Sequence, residues 1–208
     1  MTDLLYSDTE DALRDSVRRM LTERCPASVV TTAYDAAPAD FSGVWKTVAV
    51  ELGLAGLLVP ESLGGAGAST REAAVVMEEI GRAAAPVPYL SSAVLATVAL
   101  LRAGDTGTVP DLAAGAATGA LAVPLSTGPD AAITGVRRTG DGLTGRVTSV
   151  AGAHEADVLV VPVAGPDGLE LHTVRSDAPA VTVTPVLSLD MTRPIADVEF
   201  AGAASTRI

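Results

Sequence analysis

Glu51 to Tyr89 reads ELGLAGLLVPESLGGAGASTREAAVVMEEIGRAAAPVPY. A helix closes at Gly53, an apolar run reaches Pro60, and a glycine-rich turn follows at Gly64, Gly65 and Gly67. That turn needs backbone freedom that only glycine has. Ser69 and Glu72 then stand at the S-x-x-E spacing of a capping box, so a second helix opens here. It carries Ala73, Val76, Met77, Ile80 and Ala84 on one face. It must stop before Pro86 and Pro88, because a residue preceding proline is pushed out of helical geometry. The stretch therefore predicts two core helices joined by a tight loop.

Toward the N-terminus the same logic predicts two more helical pieces. Asp40 can cap a helix whose stripe is Phe41, Val44, Trp45, Val48 and Leu52, with Gly53 as its left-handed terminator. Trp45 sits among core types on that stripe and reads as core. Ser7 and Glu10 form an earlier capping box. Leu13, Val17, Met20 and Leu21 follow as an apolar stripe with Arg14, Arg18 and Arg19 off it, and Pro26 ends the helix. Cys25, at that end, has no histidine near it in sequence and reads as a small packing residue.

Toward the C-terminus, Ser91 or Ser92 opens a helix that is apolar nearly all round from Ala93 to Leu101 and closes at Gly104. Such a helix belongs at the centre of a bundle or in an oligomer contact, and it leads us to expect an exposed apolar patch on an isolated monomer. A short helical turn is expected over residues 111–117. The period changes near Gly119. Short β-type runs follow at Ala120–Leu125, Ile133–Arg138, Leu143–Val150, Val158–Val163, Leu169–Val174, Val181–Val186 and Ala196–Phe200. Turn signals stand at Asp141-Gly142 and Gly165-Pro166-Asp167-Gly168. The predicted class is α+β: an N-terminal helical bundle, residues 1–118, then a small antiparallel β-sandwich or barrel, residues 119–208.

Composition narrows the partners. The chain has 208 residues, 48% of them hydrophobic, and a formal charge of −11. An excess of carboxylates opposes binding to nucleic acid and to an anionic membrane surface. A single cysteine forms no intramolecular disulfide. The acidic start MTDLLYSDTED lacks the basic and apolar regions of a signal peptide, and Ala93–Leu101 falls short of the ~20 residues that span a bilayer. A cytoplasmic protein is expected. His154 and His172 lack metal-ligand spacing. The glycine cluster has neither the G-x-G-x-x-G spacing nor the lysine of a phosphate loop, and reads as a structural turn. No acidic residue stands out in sequence as a catalytic base.

The strings LGLAGLLVPESLGGAGAS and EAAVVMEEIGRAAAPVPY resemble the N-terminal helical domain of acyl-CoA dehydrogenases, and helices followed by strands is that family's order. The resemblance implies FAD, an acyl-CoA thioester substrate, and flavin-dependent oxidation of the α,β bond. Two family motifs can be placed. The T-E-x-x-x-G-S-D loop, which meets flavin and thioester, corresponds to Leu125-Ser126-Thr127-Gly128-Pro129-Asp130. Gly128 and Asp130 match, Pro129 replaces a serine, and the Thr-Glu pair is not recognisable. The N-G-E-K-x-W-I-T-x-A motif aligns with Gly145 to Ala153, followed by Ala156-Asp157, with Ser149 in place of the flavin-side tryptophan and Ala151 in place of the threonine.

By this resemblance Ser126, Thr127, Gly128, Thr148 and Ser149 are candidate flavin contacts, and Asp130, Tyr89 and Leu90 candidate substrate contacts. Losing the indole removes a stack worth ~0.5–1.5 kcal/mol beyond area burial. Losing the threonine hydroxyl removes a hydrogen bond worth ~1 kcal/mol. The family's catalytic glutamate lies in a third, C-terminal helical domain that these residues do not include, so the resemblance implies a base supplied by a partner or by that missing domain. It also implies a homo- or hetero-oligomer with another acyl-CoA dehydrogenase subunit. The alternative is a non-catalytic scaffold or acyl-binding member of the fold that has lost flavin. A monooxygenase or oxidase of the same superfamily is a third reading.

Overall fold

The computed structural model describes residues 5–35, 39–128 and 130–208. Helix α1 (Asp8–Arg24) opens on the expected box: Ser7 accepts from the Glu10 N–H at 3.4 Å, and Glu10 accepts from the Ser7 N–H at 2.7 Å. A short α2 (Ala27–Val30) follows. Helix α3 (Ser42–Lys46) starts where Asp40 accepts from the Ser42 N–H at 2.9 Å, widens into a π turn (Thr47–Glu51), and is stopped by Gly53 at φ +67°. Helix α4 (Thr70–Arg82) opens on the second box and lies against α1. The Gly64–Gly67 turn is a packing device. A Cβ on Gly65 would collide with the Val59 carbonyl, and the Ala66 and Gly67 N–H groups already donate to Gly56 and Val59. No donor at these two positions is free to cradle a phosphate.

The α1–α4 seam holds a charge that the apolar pattern does not announce. Glu79 has a side chain only 2% exposed, and it accepts from Arg18 at 2.6 Å, Arg82 at 2.8 Å and Arg14 at 3.4 Å. The Arg18 guanidinium first, and Arg82 with it, hold its carboxyl down at about 2 despite the opposing desolvation. Arg14 and Arg18, predicted to lie off the apolar stripe of α1, are thus partners for α4. On α4 itself the stripe needs correction: Met77 is half exposed and Ala84 is exposed beyond the helix end, while Val75 is fully buried.

The apolar helix also differs from expectation at its start. It begins at Tyr89, not at a serine cap, and runs as a π segment (Tyr89–Ala96) into α5 (Thr97–Ala103). Thr97 Oγ1 donates to the Ser92 carbonyl five residues back, at 2.8 Å, which suits the wide spacing. Ser92 instead accepts from the Gly119 N–H at 2.9 Å, joining the helix to the first strand. Ala93, Ala96 and Leu100 are buried, while Val94, Leu95, Val98, Ala99 and Leu101 stay partly exposed. The surface-exposed large apolar residues lie elsewhere, with Leu187 and Leu189 the most open. Helix α6 (Val109–Ala113) starts two residues before the predicted turn and ends within it.

Among the described residues eight strands follow: β1 (Gly119–Leu121), β2 (Val136–Thr139), β3 (Gly142–Ala151), β4 (Val158–Gly165), β5 (Gly168–Arg175), β6 (Val181–Val186), β7 (Ile195–Ala204) and β8 (Thr206–Arg207). They form two four-stranded sheets, ordered β1-β4-β5-β8 and β2-β3-β7-β6. Both glycine turns make hairpins, pairing Thr139 with Gly142 and Gly165 with Gly168. One pairing departs from the antiparallel expectation: β1 runs parallel to β4. The hairpin of β2 and β3 joins the other sheet between them, so the chain re-enters the first sheet in the same direction.

The inner faces of the sheets share a core that includes Leu143, Val150, Leu159, Val161, Val198 and Phe200. The outer face of the first sheet, at Val160, packs under Val59, Ala96, Leu100 and Leu112. That contact covers the apolar helix and joins the helical and β parts. Among the described residues no helix is long and apolar enough to cross a membrane, and no cluster of three or more His, Cys, Asp or Glu is placed to hold a metal ion.

Candidate functional site: a cavity between helices and sheet

A cavity of about 520 Å³ opens where the helical and β parts meet. Its helical wall is Met77 and Ile80 of α4, the Pro88 turn, and Tyr89 and Leu90 at the start of the π segment. Its β wall is Leu125, Ala151, Gly152 and Glu155, closed off by residues 188–195. Apolar side chains predominate, as in pockets that desolvate small ligands. Gly152 sits at φ +71° where a Cβ would run into Ser91, so the two walls meet backbone to side chain.

The closing loop, residues 187–194, is fixed by polar contacts. Arg193 donates from Nη1 to the Ala85 carbonyl at 2.9 Å, bridging the loop to the end of α4. Asp190 accepts from the Thr192 N–H at 2.9 Å and from its hydroxyl at 2.6 Å. Those hydrogen bonds, Thr192 hydroxyl first, hold the Asp190 carboxyl below its ordinary range.

Two groups in the wall have no such provision. Tyr89 is 1% exposed and its buried hydroxyl has no hydrogen-bond partner among the described residues. Leaving such a group unmatched costs about 1–3 kcal/mol. Glu155 ends a short turn (Ala153–Glu155) after β3. It is an exposed residue whose pKa is raised by desolvation, with the His154 charge acting the other way. No base was legible in the sequence, and the signal that could have found Glu155 is only its place, four residues after Ala151.

The two motif stretches do come together. Thr148 and Ser149 jointly face Asp197, because Val147 pairs with Val198 and Val150 with Ala196: a β-bulge. Ser149 takes φ +54°, a left-handed position for a non-glycine residue. Asp197 compensates by accepting from the Ser149 N–H at 2.9 Å and from Arg146 at 2.7 Å. The Ser149 carbonyl accepts from the Leu125 N–H at 3.0 Å, which docks the 124–128 turn on β3. Thr127 and Thr148 share a smaller hollow of about 200 Å³. Ser126, Gly128 and Asp130 are exposed on the turn and line neither space, and Pro129 lies outside the described residues.

As a flavin site this edge is incomplete. It offers hydroxyls at Ser126, Thr127 and Thr148 but no flat apolar face at Ser149 or Ala151, and Phe200, the aromatic residue of the sheets, is buried in their core. These residues do not fit a flavin ring by themselves. The candidate substrate residues Tyr89 and Leu90 stand in the wall of the larger cavity.

Known proteins with these features point one way. Residues 7–109 match the model for the N-terminal domain of acyl-CoA dehydrogenases. Acyl-CoA dehydrogenase IpdE2 of Mycolicibacterium smegmatis is 34% identical over 115 residues, 55% of this chain and 37% of that protein. Acyl-CoA dehydrogenase FadE27 of Mycobacterium tuberculosis is 31% identical over 145 residues, 68% of this chain and 39% of that protein. Among solved structures, the ChsE4–ChsE5 complex from Mycobacterium tuberculosis superposes with a TM-score of 0.82 at 26% identity, over 100% of this chain and 57% of that one. The chain thus spans well under half the length of these curated relatives. Two helices with their capping boxes, the glycine turn between them and the sheets behind them place it in the acyl-CoA dehydrogenase family.

Proposed function

We propose that this chain is the acyl-binding part of a flavin-dependent acyl-CoA dehydrogenase assembly, working beside another acyl-CoA dehydrogenase subunit. The observation that carries this reading is the apolar cavity between helices and sheet, with Tyr89 and Leu90 in one wall and Ala151 in the other. In that assembly a flavin, held mainly by the other subunit, would supply the redox chemistry. The base that takes the α-proton, and the flat face behind the flavin, belong to residues other than those described here. This chain's own residues bind the acyl group, exclude water from it and close over it with residues 188–195. Ser126, Thr127, Gly128, Thr148 and Ser149 remain candidates for the flavin's polar edge, and Asp130 for the thioester end. The ChsE4–ChsE5 relative is a complex by name, which supports pairing with a second subunit.

Calorimetric titration of the 208-residue chain with dodecanoyl-CoA and with free CoA tests the reading. Tighter binding of the acyl form is expected, and Leu90→Asp should weaken it about tenfold or more by placing a charge on the apolar wall. Equal affinity for both compounds would sink the acyl reading. FAD titration followed by fluorescence quenching runs beside it: no saturable binding is expected of the chain alone, and full binding after a partner subunit is added. The bulge at Ser149 and the small Ala151 favour one alternative, a non-catalytic acyl-binding member of the fold. Absence of substrate-dependent flavin reduction in the purified two-subunit complex would establish it.

A further inference from the structure

Arg193 stands in the cavity wall, half-buried, and only one of its nitrogens is used. Nη1 donates to the Ala85 carbonyl at 2.9 Å, the Thr192 carbonyl at 2.8 Å and the Thr192 hydroxyl at 3.3 Å. Among the described residues Nε and Nη2 have no acceptor, and no carboxylate forms an ion pair with the guanidinium. Asp190 is close enough for the two charges to feel each other, but its carboxylate is spent on Thr192. Elsewhere the fold fills the same edge of an arginine with a carboxylate. Arg18 takes Glu79 through Nε at 3.0 Å and Nη2 at 2.6 Å, Arg71 takes Glu10 at 2.6 and 3.1 Å, and Arg175 takes Asp177 at 2.9 Å with each. A guanidinium is planar, so its Nε–Nη2 edge points directly away from Nη1. In Arg193 that edge therefore points away from the Ala85 and Thr192 carbonyls, a fork of two parallel N–H donors with no carboxylate in it.

We propose that Arg193 receives a carboxylate at the far end of the acyl group, so that the cavity selects CoA thioesters of dicarboxylic acids over those of plain fatty acids. This rests on the acyl-binding reading above and specifies its substrate class. Two parallel N–H donors match the two oxygens of a carboxylate, a pairing with more strength and direction than a single hydrogen bond. The guanidinium is charged at every pH at which the protein folds, so the fork needs no titration to be ready. It needs little rearrangement either, since the Nη1 bonds already hold the head of the side chain in place. Ile80, Val87, Leu90 and Ile195 make the wall around it mostly apolar, and an ion pair in such a setting is screened less than one in open water. Glu155, in the same wall, bears the opposite sign when ionised. A ligand carboxylate thus gains only where it ends at Arg193, and the cavity sets the acyl length that brings it there.

The test is calorimetry of the full chain with free CoA and with thioesters paired by length: hexanoyl- and hexanedioyl-CoA, octanoyl- and octanedioyl-CoA, dodecanoyl- and dodecanedioyl-CoA. We expect at least one dicarboxylic member to bind about tenfold tighter than its plain counterpart, the order that hydrogen bonds to a charged group supply. Arg193→Gln keeps a donor for the Ala85 carbonyl but has neither the charge nor the fork. It should weaken that member several-fold more than its plain counterpart. Arg193→Lys restores the charge without the fork and should recover part of the preference, which separates a lost ligand contact from a lost fold. Equal or weaker binding of every dicarboxylic member, or an equal loss on both members of the pair in Arg193→Gln, overturns the proposal while the acyl reading stands. So does a loss on free CoA as large as that on the dicarboxylic member, which would give the fork to a phosphate of CoA. Binding of no acyl-CoA, plain or dicarboxylic, more tightly than free CoA sinks both.

Discussion

Glu79 and Glu155 are two carboxylates in one fold, and their surroundings drive them in opposite directions. Glu79 is buried in the α1–α4 seam with three guanidiniums on it, and its carboxyl is held at about 2. Glu155 stands in a cavity wall, exposed and with no protein partner among the described residues, and desolvation raises its pKa. In the first case the fold itself offsets the desolvation of the charge. In the second the fold leaves it standing. The first carboxylate is completed by its own fold, and the second is left to solvent.

The largest effect should come from Glu79→Ala. It leaves Arg14, Arg18 and Arg82 facing one another with no anion, and breaking a buried pair from one side costs about 3–5 kcal/mol. Arg18 and Arg82 are half exposed, so water moderates the repulsion, and we expect a loss of about 2–4 kcal/mol in urea unfolding. A loss below about 1 kcal/mol would mean that the seam is held by its apolar stripe alone.

Acid titration gives the next effect, and its sign differs for the two groups. The Glu79 pKa is lower folded than unfolded, so its contribution is complete above about 4.5 and is lost as pH falls toward 2. After discounting for screening, that is about 2 kcal/mol. The Glu155 pKa is higher folded than unfolded, so it opposes folding above its raised pKa, and the penalty vanishes as pH falls. The pH dependence of stability in wild type and Glu79→Gln, measured by thermal unfolding from pH 3 to pH 8, separates the terms: the acid loss should shrink markedly in the variant. Glu155→Leu should raise stability by up to about 1 kcal/mol at pH 8 and by less at pH 4.5, since it removes an unpartnered charge that is still partly wet. A destabilised Glu155→Leu would show that the carboxylate has a structural partner after all.

The same contrast explains what the sequence disclosed. Capping boxes, stripes and terminating glycines are local, and Ser7, Ser69 and Gly53 stand where that chemistry puts them. So does the hairpin turn at residues 166–167, while the Asp141-Gly142 signal is off by one: the loop is 140–141 and Gly142 opens β3. What depends on distant parts of the chain was not legible. Ser91 and Ser92 read as caps because nothing nearby shows that Gly119 will come to Ser92. The parallel pairing of β1 with β4 depends on which sheet the intervening hairpin joins. The site was legible to a lesser degree still. Tyr89 and Leu90 fall in the cavity wall, but Glu155 enters it only because the β3 bulge and the turn after it carry the chain back toward α4.

The smallest effect should come from Arg82→Ala. Arg82 lies three residues from Glu79 on the same helix, with its side chain 48% exposed. Pairs of this kind contribute a few tenths of a kcal/mol. Arg18 would keep its two bonds to Glu79 at 2.6 and 3.0 Å, so the carboxylate stays satisfied, and we expect a loss of about 0.5 kcal/mol or less. If each arginine acted separately, the three single losses would sum to the Glu79→Ala loss. We expect the sum to fall short, because the price of Glu79→Ala is mostly the stranding of like charges, which no single arginine deletion causes. Equality of the two within about 0.3 kcal/mol would show that Glu79 is held by independent surface pairs, and its completeness would no longer set it apart from Glu155.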